Sequence, residues 1–155
     1  MNRISFARLA LGYIAGALAV LVCSQPTLAF LSSFGATPVE LYSWRPTEPW
    51  GVPRIASLCF WGGLWGCLFV LIEPPTPRRL GYWCATFAFG AVIPTLVGWF
   101  VVAPIRGVVP AGDWNGRRVL NAFVVNGVWA LGTSLLLVLM TAAQRRISTR
   151  VAGVA

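Results

Sequence analysis

The chain has no histidine and no lysine, and only four of its 155 residues are acidic. Without histidine, histidine-ligated haem, zinc and copper sites are excluded, and so are Ser-His triads. The four acids, Glu40, Glu48, Glu73 and Asp113, fall in expected loops or at helix ends, so no buried acid is expected to couple protons across a membrane. Charged residues make up 10% of the chain, where soluble domains carry about 25%. Cysteine is also sparse. Cys23, Cys59, Cys67 and Cys84 stand singly in apolar stretches, with no Cys-x-x-Cys pair. Cys59 and Cys67 are two turns apart on one expected helix and cannot bond to each other. They read as small buried hydrophobes rather than as a thiol-redox centre.

What the chain does have is apolar length. Hydrophobic residues make up 57% of it and the mean hydropathy is +0.75. No charge interrupts residues 9–39, 55–72, 80–105 or 119–144. The shortest of these intervals, at about 1.5 Å rise per residue, is close to the thickness of a bilayer's hydrocarbon core. The runs are continuously apolar, without the alternation of a membrane barrel strand, so helices are expected. The expected architecture is all-α: one membrane domain over residues 1–155, a bundle of four transmembrane helices at about 9–31, 55–72, 80–103 and 119–141. The segment from Pro49 to Pro75 states this most clearly, with its proline-rich start, the run Trp61-Gly62-Gly63-Leu64-Trp65-Gly66, and a charge and two prolines at its end.

The first apolar run follows the basic residues Arg3 and Arg8, and it reads either as a retained helix or as a cleaved signal peptide with Ala29 at the cleavage site. Its hydrophobic length exceeds a signal core of about 7 to 15 residues, which favours the retained helix. Residues 32–54 form the longest polar segment. Pro38, Pro46, Pro49 and Pro53 argue against a regular helix there, and Tyr42, Trp44 and Trp50 suit a loop lying against the headgroup zone.

The net charge of +8 rests on arginine alone. Every arginine flanks an expected helix and none forms a long basic run, so the charge serves orientation rather than nucleic-acid binding. With both termini in the cytoplasm, Arg3, Arg8, Arg78, Arg79, Arg145, Arg146 and Arg150 lie inside. Arg45, Arg54, Arg106, Arg117 and Arg118 lie outside, a bias toward a periplasmic 32–54 loop in a bacterial inner membrane. Trp44, Trp50, Trp99 and Trp114 then gather at the outer interface.

Gly12 with Gly16, and Gly62 with Gly66, are small-xxx-small pairs that let helix backbones approach closely, as packing seams within or between copies of the chain. Gln25, Thr95 and Asn126 fall roughly 9 to 12 Å from the outer helix ends at about 1.5 Å per residue. Pro26 and Pro94 lie at the same depth, freeing the carbonyls of Val22 and Gly90. A polar layer with Gln25 and Asn126 pointing inward is therefore expected. It either ties helices together, at about 0.6 to 2 kcal/mol per bond, or lines a small pocket. No metal site and no cofactor is indicated.

The segments SQPTLAFL, PWGVPRIASLCFWGGLWG, PTLVGWFVVAPIRG and NAFVVNGVWALGTSLLL resemble a group of small, uncharacterised bacterial inner-membrane proteins of four predicted helices. WGGLWG and VAPIRG are the most specific parts. Some members have a histidine before the glutamine, where this chain has Ser24; that departure argues against a metal or proton role there. The resemblance implies membrane location and helix count and supplies no activity. The first span also lacks the acid on which small four-helix drug exporters depend. The functional expectation is an integral membrane protein serving as a structural or accessory subunit, partnered by the lipid bilayer and by itself or another membrane protein. The alternative is an oligomeric carrier or channel for a small neutral solute around the Gln25 and Asn126 layer.

Overall fold

A computed structural model of the chain describes residues 5–34, 40–48, 50–73, 79–105, 107, 109 and 113–152. Arg3, Arg78 and Arg106 of the orientation argument lie outside the described residues, as do Pro38 and Pro49 of the long loop and the side chain of Arg150. Helices dominate: α1 (Phe6–Ser33), α2 (Arg54–Ile72), α3 (Leu80–Ile105) and α4 (Gly116–Ala152). Each is long and apolar enough to cross a membrane.

The helices outrun the apolar windows because a charge ends a hydrophobic stretch without ending a helix. α1 starts early because the Ser5 hydroxyl accepts the Arg8 N–H at 3.3 Å, satisfying one of the donors exposed at a helix start. α4 starts at Gly116 because the Asn115 side-chain oxygen accepts the N–H groups of Arg117 and Arg118 at 3.1 and 3.3 Å. It then runs to Ala152, past its apolar part.

In space the helices lie in the order α2, α1, α4, α3. α1 and α2 run antiparallel along the two glycine pairs, Gly16 opposite Gly62 and Gly12 opposite Gly66. A Cβ on Gly62 would lie 2.9 Å from the Gly16 carbonyl oxygen, and one on Gly12 would lie 2.8 Å from that of Gly66. The seams therefore close against each other inside the chain, and neither is presented outward to a second copy.

α4 is the other central helix. The Trp129 indole N–H, in the buried cluster with Ala19, Val20, Ile55 and Ala130, donates to the Gly16 carbonyl at 2.9 Å. α3 lies antiparallel on α4, with Gly90 against Ala130 and Trp99 against Phe123. α2 and α3, the outer members of the row, approach at one end, where the rings of Phe69 and Phe89 have centroids 5.8 Å apart.

The loop between α1 and α2 holds two paired two-residue strands, β1 (Pro46–Thr47) and β2 (Val52–Pro53), the one departure from an all-α chain among the described residues. It is anchored to the start of α2 by the Arg54 and Ile55 N–H groups, which donate to the carbonyls of Arg45 and Ser43, each at 2.9 Å.

Both long-looped helices contain one wide, π-type turn: Val20–Ser24 in α1 and Gly98–Val102 in α3. Each is followed at the second residue by a proline, Pro26 and Pro104. Proline has no N–H to offer the preceding turn, so a local register change goes with the missing bond.

Candidate functional site

The residues expected to form one polar layer form two separate ties. Asn126 on α4 donates from Nδ2 to the Thr95 hydroxyl on α3 at 2.8 Å, with Thr95 only 2% exposed. Gln25 is buried, and its side-chain oxygen accepts the backbone N–H of Tyr42 at 2.8 Å. The glutamine thus binds the loop rather than the other two residues.

The wide turn explains that arrangement. Within it the Gln25 N–H reaches the Val20 carbonyl, five residues back. In the same register the donor for Leu21 would be Pro26, which has none. The orphaned carbonyl is therefore that of Leu21, one residue before the Val22 expected from regular helix geometry. The Tyr42 hydroxyl donates to it at 3.0 Å. Tyr42 adopts the left-handed backbone (φ 48°), which costs an L-residue roughly 1–2 kcal/mol. Its two hydrogen bonds to α1 hold it there, so this aromatic caps a helix in addition to any headgroup contact.

The interface aromatics divide as well. Trp44, Trp50 and Trp114 are 75%, 85% and 66% exposed. Trp99 instead packs edge-on against both Trp114 and Phe123.

The densest polar cluster lies at the opposite end of the bundle and centres on a residue that sequence position alone placed in a turn. Glu73 follows α2 directly, yet its side chain is 5% exposed, which corrects the expectation that no acid is buried. Oε2 accepts from the Arg8 guanidinium at 3.3 Å and Oε1 from the Tyr82 hydroxyl at 2.5 Å. The Tyr82 oxygen also lies 2.6 Å from the Ser134 hydroxyl. Tyr82 has one proton and gives it to the carboxylate, so Ser134 is the donor in the second bond. All four helices meet in this chain of bonds: Arg8 in the first turn of α1, Glu73 at the end of α2, Tyr82 in the first turn of α3, and Ser134, fully buried, on α4. Helix starts carry partial positive charge, so the first turns of α1 and α3 suit the carboxylate placed beside them.

A cavity of about 350 Å³ opens between α2 and α3 beside Glu73 and Tyr82, walled by Phe69, Ala85, Thr86 and Phe89. The only sequence signal for this site was the acid directly before Pro-Pro; the helices that close over it are far away in the chain.

Among the described residues no three or more acids and cysteines come together as a metal site, and all four cysteines are free thiols. The Cys67 thiol contacts the Leu9 carbonyl at 3.4 Å and Cys23 lies against Gly132, but Cys23, Cys59 and Cys67 are only half-buried and Cys84 is exposed, which corrects the expectation of four buried hydrophobes. No known protein family, curated protein or solved structure matches this chain.

Proposed function

We propose that this chain is a multi-pass protein of a bacterial inner membrane that serves as a structural or accessory subunit, seated beside another membrane protein. The observation that carries this reading is that, among the described residues, no buried side-chain nitrogen or oxygen lacks a hydrogen-bond partner. A carrier must leave polar groups in its middle to exchange with solute. Here Asn126 is taken by Thr95, Gln25 by Tyr42, and the Trp129 N–H by Gly16. Such internal ties favour a bundle with one fixed arrangement. The outward faces of α2 and α3 carry Phe60, Trp61, Leu64, Ile93, Leu96 and Phe100, all exposed in the isolated chain, which suits contact with lipid and with a partner's helices.

In this reading both termini lie in the cytoplasm and the Trp44 and Trp50 loop in the periplasm. The test is extraction in mild detergent after crosslinking from a photoreactive residue at Trp61 or Leu64. The expected result is one discrete adduct with a membrane protein that also co-purifies at fixed stoichiometry. A homo-oligomer or a crosslink to lipid alone would overturn it. Labelling Thr47→Cys with a membrane-impermeant maleimide in intact cells checks the orientation; an unlabelled loop would reverse it.

A further inference from the structure

We propose that the groove between α2 and α3 seats one acyl chain of an anionic phospholipid, whose phosphate is held at the groove's mouth by Arg79. The groove has a volume of about 350 Å³, within the range of about 300–1,000 Å³ typical of ligand sites. Its floor is closed and its rim is open: Phe69, Tyr82 and Thr86 are buried, whereas Ile72, Gly81 and Ala85 are exposed. α2 and α3 share no seam along this edge, so the open side faces outward, where a membrane-spanning chain meets lipid. A Cβ on Gly81 would meet nothing within 4 Å, which leaves the α3 side of the mouth unobstructed. From Gly81 to Phe89 the groove follows α3 for about 12 Å at ~1.5 Å per residue, against a leaflet hydrocarbon thickness of about 15 Å. It therefore starts at the helix end and runs inward, as an acyl chain does. Lipid tails are as apolar as Phe69, Ile72 and Phe89, so the walls supply fit rather than a hydrophobic drive. A tail lying in the groove recovers the dispersion contacts that a void would forfeit.

Selectivity comes from charge at the mouth. Arg79 is exposed and directly precedes α3, two residues before Gly81. Its guanidinium offers a planar pair of donors that matches phosphate. The described charges at this end of the bundle are Arg8, Arg79, Arg145, Arg146 and Glu73, with Arg79, Arg145 and Arg146 all exposed. Glu73 lines the groove, but its carboxylate is withdrawn from solvent and bonded by Arg8 and Tyr82. A phosphate at this level therefore meets an excess of positive charge. A neutral, zwitterionic lipid brings the same tails without that match. The site rests on the membrane placement in the reading above and not on the subunit role.

The experiment places the full chain in nanodiscs of equal phosphatidylglycerol and phosphatidylcholine and counts the lipids it retains by native mass spectrometry. The native chain is expected to keep one phosphatidylglycerol, preferred about fivefold or more over phosphatidylcholine. Arg79→Gln is expected to remove most of that preference. Arg118→Gln deletes the same charge at the opposite end of the bundle and is expected to leave the preference unchanged. Ala85→Trp fills the groove from its exposed rim, and should lower retention of either lipid about threefold or more with the melting temperature kept. Equal retention of the two lipids by the native chain, equal effects of Arg79→Gln and Arg118→Gln, or unchanged retention in Ala85→Trp each overturns the proposal. Glycerophosphate at millimolar concentration should not displace the lipid; displacement would assign the contact to a free anion and overturn a lipid. A chain that fails to float with vesicles overturns the membrane placement and the site with it, while a chain that floats yet retains both lipids equally overturns the site alone.

Discussion

Replacing Gly12 by alanine should part α1 from α2, and the size of the effect can be worked from the seam itself. The new Cβ would sit 2.8 Å from the Gly66 carbonyl oxygen and 2.7 Å from Val70 Cγ2, where ordinary contact begins at 3.4 Å. The shortfall against the carbonyl is 3.4 − 2.8 = 0.6 Å. Val70 is β-branched and stiff at χ1, and a backbone carbonyl cannot turn aside without moving its helix, so the helices must separate. A gap of about 0.5–1 Å forfeits a quarter to a half of each dispersion well of about 0.1–0.2 kcal/mol. Over a few tens of atom pairs along the seam that is roughly 1–3 kcal/mol, the usual cost of overpacking. Gly66→Ala should cost more, about 3 kcal/mol or above, because its Cβ would overlap the Gly12 carbonyl more deeply. Gly81→Ala is the control: nothing lies within 4 Å of its added Cβ, so stability should hold or rise by up to about 1 kcal/mol. Thermal unfolding in mild detergent, read by a thiol-reactive fluorogenic dye, uses the native free cysteines as reporters. The order Gly81→Ala, Gly12→Ala, Gly66→Ala in falling melting temperature is expected. A Gly66→Ala protein that melts with the native chain would refute the close seam.

Trp129→Phe removes the donor to the Gly16 carbonyl while keeping most of the ring volume, and should cost about 0.6–2 kcal/mol in the same assay; an unchanged melting temperature would mean that the bond contributes nothing. Tyr42→Phe strips the hydroxyl from the Leu21 carbonyl and loosens the loop. Chymotrypsin should then cut after Trp44 several-fold faster, with global stability lowered by about 1 kcal/mol or less, and a rate equal to that of the native chain would remove the cap from the account.

The helices were legible in the chain because their signal is local. Four charge-free runs of membrane length state themselves, and Gly12, Gly16, Gly62 and Gly66 announce close contact at helical spacing. Their partners are not local, which is why an outward-facing seam looked as reasonable as the inward one observed between Gly16 and Gly62. Gln25 shows a different limit. Counting residues gave its depth, but the wide turn at Val20–Ser24 shifted the register and gave Tyr42 a carbonyl to cap one residue away from the expected one. The burial of Glu73 is not legible in the chain because burial is a property of neighbours. An acid before two prolines looks solvated, whereas Arg8 and Tyr82, arriving from other helices, bond it where its side chain is withdrawn from water.

The row α2, α1, α4, α3 is held by unlike forces, and this locates the cavity. Glycine backbones seal α2 to α1 with little polar help. The Trp129 bond joins α1 to α4. α3 hangs on α4 by Asn126 with Thr95 and by Ser134 with Tyr82, two polar ties far apart along the helix. The outer helices α2 and α3 have no comparable seam between them. Their shared edge is closed at one end by the Phe69 and Phe89 rings and by the bond from Tyr82 to Glu73. Glycine pairs allow the tightest approach but carry no side chains to fill space beyond it, so an edge closed only by long aromatic and charged side chains leaves room behind them. That room is the cavity, and the carboxylate that closes the edge is also part of its lining.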